Sequence, residues 1–130
     1  MPTNKDLSQY RLEQAEQCLT AAKNNLSLDD YKTAANRSYY CIFHCMRSLF
    51  ALERLDFKKH SAVITHFREK YIKTGIFDKR LSDIITTLFR IRGESDYDDF
   101  YVVSKDEVRT QIENAEYFLT QVKAYLESQN

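Results

Sequence analysis

Three side chains in the first half of the chain could bind a metal ion or supply a nucleophile. Cys41, His44 and Cys45 lie within little more than one helical turn, and thiolates and imidazoles are preferred zinc ligands. A structural zinc site also needs a fourth ligand, usually from a second cluster, and neither His60 nor His66 has a cysteine neighbour. Both cysteines fall near the apolar helical stripe that includes Ile42 and Met46, and a cysteine in such a place packs as a small hydrophobic residue. We therefore expect core packing, with no metal and no cofactor.

An acidic run in the second half offers the oxygen ligands that a divalent cation prefers. Asp96, Asp98 and Asp99 surround Tyr97, but the run lacks the glycine and the distal glutamate of a calcium-binding loop. It is also too acidic and too poor in apolar residues to continue a helical pattern. We predict a solvated loop over residues 96–99.

Two further segments combine polar and aromatic side chains in a way that core packing alone does not explain. Residues 36–40 read Asn-Arg-Ser-Tyr-Tyr in the middle of a predicted helix, and their guanidinium and hydroxyl groups need hydrogen-bond partners once buried. Residues 90–98 read Arg-Ile-Arg-Gly-Glu-Ser-Asp-Tyr-Asp, so a helix ends in two arginines followed by carboxylates and a phenol. A purely structural explanation of the second segment is an ion pair between Arg92 and Asp96 that ties the helix end to the following loop. Such a pair contributes little to stability if it is exposed.

Hydrophobic periodicity predicts five helices that position these segments. Apolar residues recur at steps of three and four, as expected for helices with one buried face. The predicted helices span about residues 7–26, 31–55, 60–73, 78–95 and 105–126. The pair Asp29 and Asp30 suits the start of the second helix, and Gly75 suits the end of the third. Ser104 with Glu107 forms a capping box before the fifth. Short connections between the helices indicate an all-α, antiparallel bundle.

Composition narrows the class of protein. The chain of 130 residues is 43% hydrophobic and has only two glycines, which suits a single domain over residues 1–130. Glycine-rich phosphate loops of the Walker and dinucleotide-binding types are excluded, and an all-β fold is disfavoured. No apolar run resembles a secretion signal or a membrane span. Three cysteines fit free thiols in a reducing compartment, so we expect a soluble, cytoplasmic protein without a membrane partner.

The formal net charge of zero is the sum of blocks of opposite sign. Residues 47–92 hold eleven Lys or Arg against five Asp or Glu, whereas residues 93–107 hold one against six. A solvated helix surface is one explanation, and a surface for phosphate groups on the third and fourth helices is the other. The candidates for that surface are Arg47, Lys58, Lys59, Arg68, Lys70, Arg90 and Arg92.

Three motifs in order along the chain resemble the HEPN family of small helical domains. A small prokaryotic subgroup of that family carries Arg-x-Tyr-Tyr, His-Ser-x-Val-Ile and Arg-x-x-x-Asp-Tyr-Asp. In this chain the corresponding segments are Arg37 to Tyr40, His60 to Ile64 and Arg92 to Asp98. The resemblance covers about residues 7–126, with the same order of five helices.

The resemblance implies an up-and-down four-helix bundle with an additional short helix, commonly a homodimer, that takes part in nucleotide or RNA transactions. Many members are toxins that cut RNA without a metal, and many are encoded beside a small nucleotidyltransferase that acts as antitoxin. Their catalytic signature is an arginine followed four to six residues later by a histidine. Arg92 stands at the expected position, but no histidine follows His66, and Asp96 and Tyr97 stand where the histidine would be. Asp96 would act as a base only with a raised pKa, and Arg92 beside it should lower that pKa.

Two hypotheses from different classes follow. In the first, a HEPN-like domain binds nucleotide or RNA phosphate as one component of a toxin–antitoxin-type pair with a nucleotidyltransferase. Its binding residues are Arg37, Tyr40, His60, Arg92, Asp96 and Tyr97. Arg92, Asp96 and Tyr97 are also the candidate catalytic residues of a metal-independent endoribonuclease. Because the signature histidine is missing, the sequence does not decide whether the chain has this activity. In the second, the chain is a non-enzymatic, homodimeric helical interaction module. Convergence of Arg92, Asp96, Tyr97 and His60 in a cleft would favour the first hypothesis.

Overall fold

The computed structural model describes residues 1–97 and 102–129, the side chains of residues 95–97 excepted. The described residues are helical, without strands, which confirms the predicted all-α class. The elements are α1 (Asn4–Ser27), α2 (Tyr31–Leu52), α3 (His60–Phe67), a π-helical segment (Arg68–Ile72), α4 (Lys79–Tyr97) and α5 (Lys105–Ser128). Helices α1, α2, α4 and α5 form the four-helix bundle, and α3 with the π-helical segment is the additional short helix. No helix in the described ranges combines the length and apolar character needed to cross a bilayer.

Helix α2 lies at the centre of the bundle and contacts α1, α3, α4 and α5. It begins after Asp30, whose carboxylate accepts a hydrogen bond from the Thr33 amide at 3.2 Å, as predicted for a helix start. Because α2 is packed on several sides, most of its side chains are buried. The partly exposed ones include Arg37, Tyr40, His44 and Arg47. Their steps of three, four and three place them on one face of the helix.

The third predicted helix is a short α-helix followed by a wider turn. Helix α3 ends at Phe67 and the chain continues as the π-helical segment before Gly75, which adopts the predicted left-handed conformation with φ of +81°. The Phe67 ring stacks on the rings of Tyr71 and Phe77, with centroid distances of 5.5 and 5.8 Å. The π-helical segment is therefore anchored by aromatic contacts, and it ends where the sequence predicted.

Helix α4 runs further than predicted. It extends to Tyr97, so the prediction of a loop is wrong for Asp96 and Tyr97, while residues 98 and 99 lie outside the described residues. An ion pair between Arg90 and Glu94, at 3.2 Å and one helical turn apart, supports the helix through Gly93. Acidic composition alone therefore did not end the helix. Helix α5 begins as predicted, with the Ser104 hydroxyl accepting a hydrogen bond from the Glu107 amide at 3.1 Å.

Candidate functional site

Helices α2 and α4 bring the first and third motifs together. The Arg92 Nη2 atom on α4 donates a hydrogen bond to the Tyr40 hydroxyl on α2 at 3.3 Å. The Arg92 guanidinium carbon also lies 5.5 Å from the ring centroid of Tyr39 and 5.7 Å from that of Tyr40. These are distances at which a guanidinium is attracted to an aromatic face. The arginine thus sits beside both tyrosines, although 52 residues separate it from Tyr40.

The start of α3 adds the second motif to the same place. His60, the first residue of α3, has its Nδ1 atom 2.9 Å from the Tyr39 hydroxyl. Its ring lies on Phe43, with centroids 4.2 Å apart, and meets Tyr40 edge-on at 5.7 Å. Residues from all three motifs therefore form one cluster. We call this group of Arg37, Tyr39, Tyr40, His60 and Arg92 the motif cluster.

Arg37 gives the cluster a second guanidinium. Its guanidinium carbon lies 5.1 Å from the Tyr40 ring centroid, and its nitrogen atoms donate to the Asn36 side-chain oxygen at 2.6 and 3.1 Å. Tyr40 is therefore a shared aromatic contact for Arg37 and Arg92. Two positive groups on one partly exposed tyrosine make this a favourable place for an anion.

The same environment determines the charge states of the aromatic and imidazole groups. Burial, and then the positive charges of Arg92 and Arg47, lower the pKa of His60, so the imidazole is neutral at pH 7. Burial raises the pKa of Tyr39 above its ordinary value despite the opposing charge of Arg92, so the phenol keeps its proton. The cationic charge of the motif cluster therefore resides on its arginines.

A cavity of about 450 Å³ opens beside His60. Its lining residues are Phe43, Arg47, Asp56, Phe57, Lys58 and His60. Burial alone would raise the pKa of the Asp56 carboxyl, but hydrogen bonds and charge from Arg47, the Phe57 amide and Arg11 lower it. The Asp56 carboxylate lies 3.0 Å from the Arg47 Nη2 atom and 3.4 Å from that of Arg11. One carboxylate thus faces two guanidinium groups, and Lys58 adds a further positive charge to the cavity.

Several other basic candidates are engaged in structural contacts. Arg68 donates to the hydroxyls of Ser82 and Thr86 at 2.9 and 2.7 Å. Lys70 pairs with Glu53, and Arg90 pairs with Glu94. Lys59 is exposed and precedes α3. Of the candidates for the phosphate surface, Arg92 lies in the motif cluster, beside Arg37 of the first motif, and Arg47 and Lys58 line the cavity, where Arg47 is paired with Asp56.

The possible metal ligands in α2 lie partly in the core. Cys41 and Cys45 are fully buried free thiols, consistent with the apolar stripe near which they fall. His44 has a buried Nδ1 atom without a hydrogen-bond partner among the described residues. Burial, with the charges of Arg47, Arg37 and Arg11, lowers its pKa to about 4. No group of three possible ligands in the described part of the chain has the geometry of a metal site.

The sequence predictions name four residues whose side chains are described and two, Asp96 and Tyr97, of which only the helical backbone is described. Arg37, Tyr40, His60 and Arg92 converge, whereas the side chains of Asp96 and Tyr97 lie outside the described residues. Sequence reasoning missed Tyr39 as the partner of His60, and it missed Phe43 as the surface on which the imidazole lies. The spacing of Phe43, three residues after Tyr40 on the same face of α2, was the available signal.

Comparison with known proteins identifies the family. The HEPN domain family matches residues 8–125. A Methanocaldococcus jannaschii protein described as a "putative toxin" is 33% identical over 119 residues, which cover 92% of this chain and 81% of that protein. A second such protein of the same organism is 32% identical over 126 residues, covering 95% and 93% of the two chains. A UPF0332 protein of Thermotoga maritima is 30% identical over 127 residues, covering 98% and 96%. The described residues form a helical bundle that brings Arg37, His60 and Arg92, one from each motif, into one cluster, and the chain belongs to the HEPN domain family.

Proposed function

We propose that this HEPN-family protein binds phosphate groups of a nucleotide or an RNA through the motif cluster. The observation that supports the proposal is the convergence of Arg37, Tyr40, His60 and Arg92 from three helices at one partly exposed position. A guanidinium group offers a fork of N–H donors suited to phosphate oxygens. An aromatic ring beside it offers a face on which a base can stack.

The relatives favour a toxin-type role for this binding. Two of them are described as "putative toxins" and align with most of this chain. We propose that this chain is likewise the toxin-type component of a pair, that its partner is a nucleotidyltransferase, and that it works as a homodimer in the cytoplasm. Of the candidate catalytic residues, Arg92 is the one whose side chain is described, so the proposal depends on Arg92 and not on Asp96 or Tyr97.

The direct test of phosphate binding is the replacement of Arg92 with alanine. Loss of a hydrogen bond to a charged group costs about 1.5–3 kcal/mol, which corresponds to about a ten- to hundredfold loss of affinity. Titrations at fixed low salt would use a labelled single-stranded RNA in one series and ATP in another. The affinity for at least one probe should fall by that factor, and its dependence on salt concentration should become weaker.

A matched control distinguishes the effect of the motif cluster from the effect of removing any one positive charge. Arg109 is an exposed arginine on α5, paired with Asp106 at 3.3 Å, and Arg109→Ala removes the same charge outside the motif cluster. We expect the control to change affinity by less than about twofold. Equal affinities of wild type and Arg92→Ala for both probes would show that the site assignment is wrong.

The interaction-module hypothesis is favoured by one apolar surface. A groove of about 380 Å³ is lined by Ile64, Ile85 and Phe89 among others, and Phe89 is 41% exposed although its ring lies 5.9 Å from that of Tyr39. Exposed aromatic rings are common at protein interfaces. Calorimetry showing tight binding to an adjacent nucleotidyltransferase and no heat with RNA or ATP would favour this second function over the first.

A further inference from the structure

The buried hydroxyl of Tyr39 determines which nitrogen of His60 carries the proton. Tyr39 is fully buried, and within the described part of the chain its hydroxyl makes one hydrogen bond, to His60 Nδ1 at 2.9 Å. A buried hydroxyl without an acceptor is costly. The phenol therefore donates to Nδ1, which must be unprotonated to accept. In a neutral imidazole the proton then resides on Nε2.

The surroundings of His60 oppose the doubly protonated form. From α2 the imidazole is faced by Tyr39 and Tyr40, and Arg47 contributes positive charge; from α4 it meets the charge of Arg92. Lys58 and Asp56 share the cavity beside it. A proton on Nδ1 would also deprive the Tyr39 hydroxyl of its acceptor. Among the described residues, Asp56 is the carboxylate that shares the cavity with His60, and it is already paired with two arginines.

The second ring nitrogen of His60 is open to a ligand. Nε2 makes no hydrogen bond to a described residue, and it is not among the buried atoms that lack a partner, so solvent reaches it. The ring lines the 450 Å³ cavity together with Arg47 and Lys58. The cavity is thus lined by two cations and one carboxylate, so the net charge beside the ring is positive and an acceptor with negative charge is favoured.

We propose that Tyr39 is a positioning residue that holds His60 in the Nε2–H form, so that His60 donates a hydrogen bond to a phosphate oxygen and does not act as a general base. The donor role rests on the proposed phosphate binding, whereas the position of the proton does not. With the N–H groups of Arg37 and Arg92, the Nε2–H group of His60 then gives the motif cluster a third side chain that donates hydrogen bonds. Such a site recognises ligands whose facing atoms are acceptors, as the ionised oxygens of a phosphate ester are.

The position of the proton is measured directly by nitrogen NMR of the ligand-free protein. Spectra of ¹⁵N-labelled imidazoles at pH 7 distinguish protonated from unprotonated ring nitrogens, and His60→Gln assigns the signals. We expect the His60 proton on Nε2 in the wild type. In Tyr39→Phe the proton should be shared between both nitrogens, and His60 should titrate at higher pH, because the donor that stabilises the neutral ring is gone. A wild-type His60 protonated on Nδ1, or on both nitrogens, would overturn the proposal.

The donor role is measured by RNA titration of two variants. His60→Ala removes the N–H group, and we expect about a two- to tenfold loss of affinity for a labelled single-stranded RNA. His60→Gln supplies an amide N–H at a similar reach and should restore part of that loss. Equal affinity of His60→Ala and wild type would overturn the donor role. A wild-type protein that binds neither RNA nor ATP would contradict the proposed function and the donor role, and the NMR result would still decide the position of the proton.

Discussion

Replacement of Glu53 with glutamine tests the contact between the end of α2 and the π-helical segment. The Glu53 side chain is 12% exposed. Its carboxylate accepts hydrogen bonds from the Tyr71 hydroxyl at 2.8 Å, from His66 Nε2 at 3.3 Å and from Lys70 Nζ. Burial alone would raise the pKa of this carboxyl, but the bonds from Lys70, Tyr71 and His66 together lower it. Glutamine keeps one acceptor oxygen and turns an N–H group toward one of these donors.

The expected loss of stability depends on how far solvent reaches the groups that bond to Glu53. A hydrogen bond to a charged group in a buried setting contributes about 1.5–3 kcal/mol, whereas an exposed ion pair contributes below about 1 kcal/mol. Because the Lys70 side chain is 46% exposed, solvent screens its part of the contact. We expect Glu53→Gln to lower the free energy of unfolding by about 1–2 kcal/mol. For a chain of this size that corresponds to a fall in Tm of about 3–10 °C.

Urea denaturation followed by circular dichroism measures this loss at pH 7 and at pH 3. Glu69→Gln is the matched control, because Glu69 is an exposed glutamate on the same segment. The folded-state pKa of Glu53 is lowered, so its stabilisation is complete above the unfolded pKa of about 4.3 and is lost as pH falls through the folded value. The difference between wild type and Glu53→Gln should therefore shrink at pH 3. Equal losses in both variants, or a difference unchanged at pH 3, would refute the reasoning.

Two further pairs of substitutions test the ends of helices, with calorimetric melting as the measurement. Gly75→Ala should lower the free energy of unfolding by about 1–2 kcal/mol because alanine is strained in the left-handed conformation. The strain acts alone, since no heavy atom lies within 4 Å of an added Cβ. Gly93 is equally open but helical, so Gly93→Ala should instead raise the free energy of unfolding by about 0.5–1 kcal/mol. The same sign for both glycines would contradict the strain argument. Ser104→Ala removes the acceptor for the Glu107 amide and should lower the free energy of unfolding by about 1 kcal/mol. Ser104→Asp keeps an acceptor, so its Tm should lie within about 2 °C of that of the wild type. If both Ser104 variants melted alike, the cap would not be the cause.

Local signals in the sequence predicted the helices better than they predicted the site. The ends marked by Asp30, Gly75 and Ser104 agree with the structure because caps and left-handed glycines act within a few residues. The π-helical segment was not predicted, since the bond from Tyr71 to Glu53 joins residues that are 18 apart in sequence. The loop predicted at residue 96 was wrong because helix-supporting pairs such as Arg90 with Glu94 outweigh acidic composition.

The candidate site could be predicted as a set of residues but not as an arrangement. The three motifs were visible in the sequence, and the family resemblance was confirmed. The contact between Tyr39 and His60 spans 21 residues and depends on how α3 packs on α2, which periodicity does not specify. The tautomer of His60 follows from that single contact, so it too required the structure.

The most direct test of phosphate binding at the motif cluster is to map the ligand on the protein itself. Side-chain nitrogen signals of arginine and histidine would be followed by NMR while ATP, and in a separate series a short single-stranded RNA, is added at low salt. We expect saturable shifts at Arg92, Arg37 and His60 with little change at Arg109. Saturable shifts confined to other residues, or no shifts with either ligand, would contradict it.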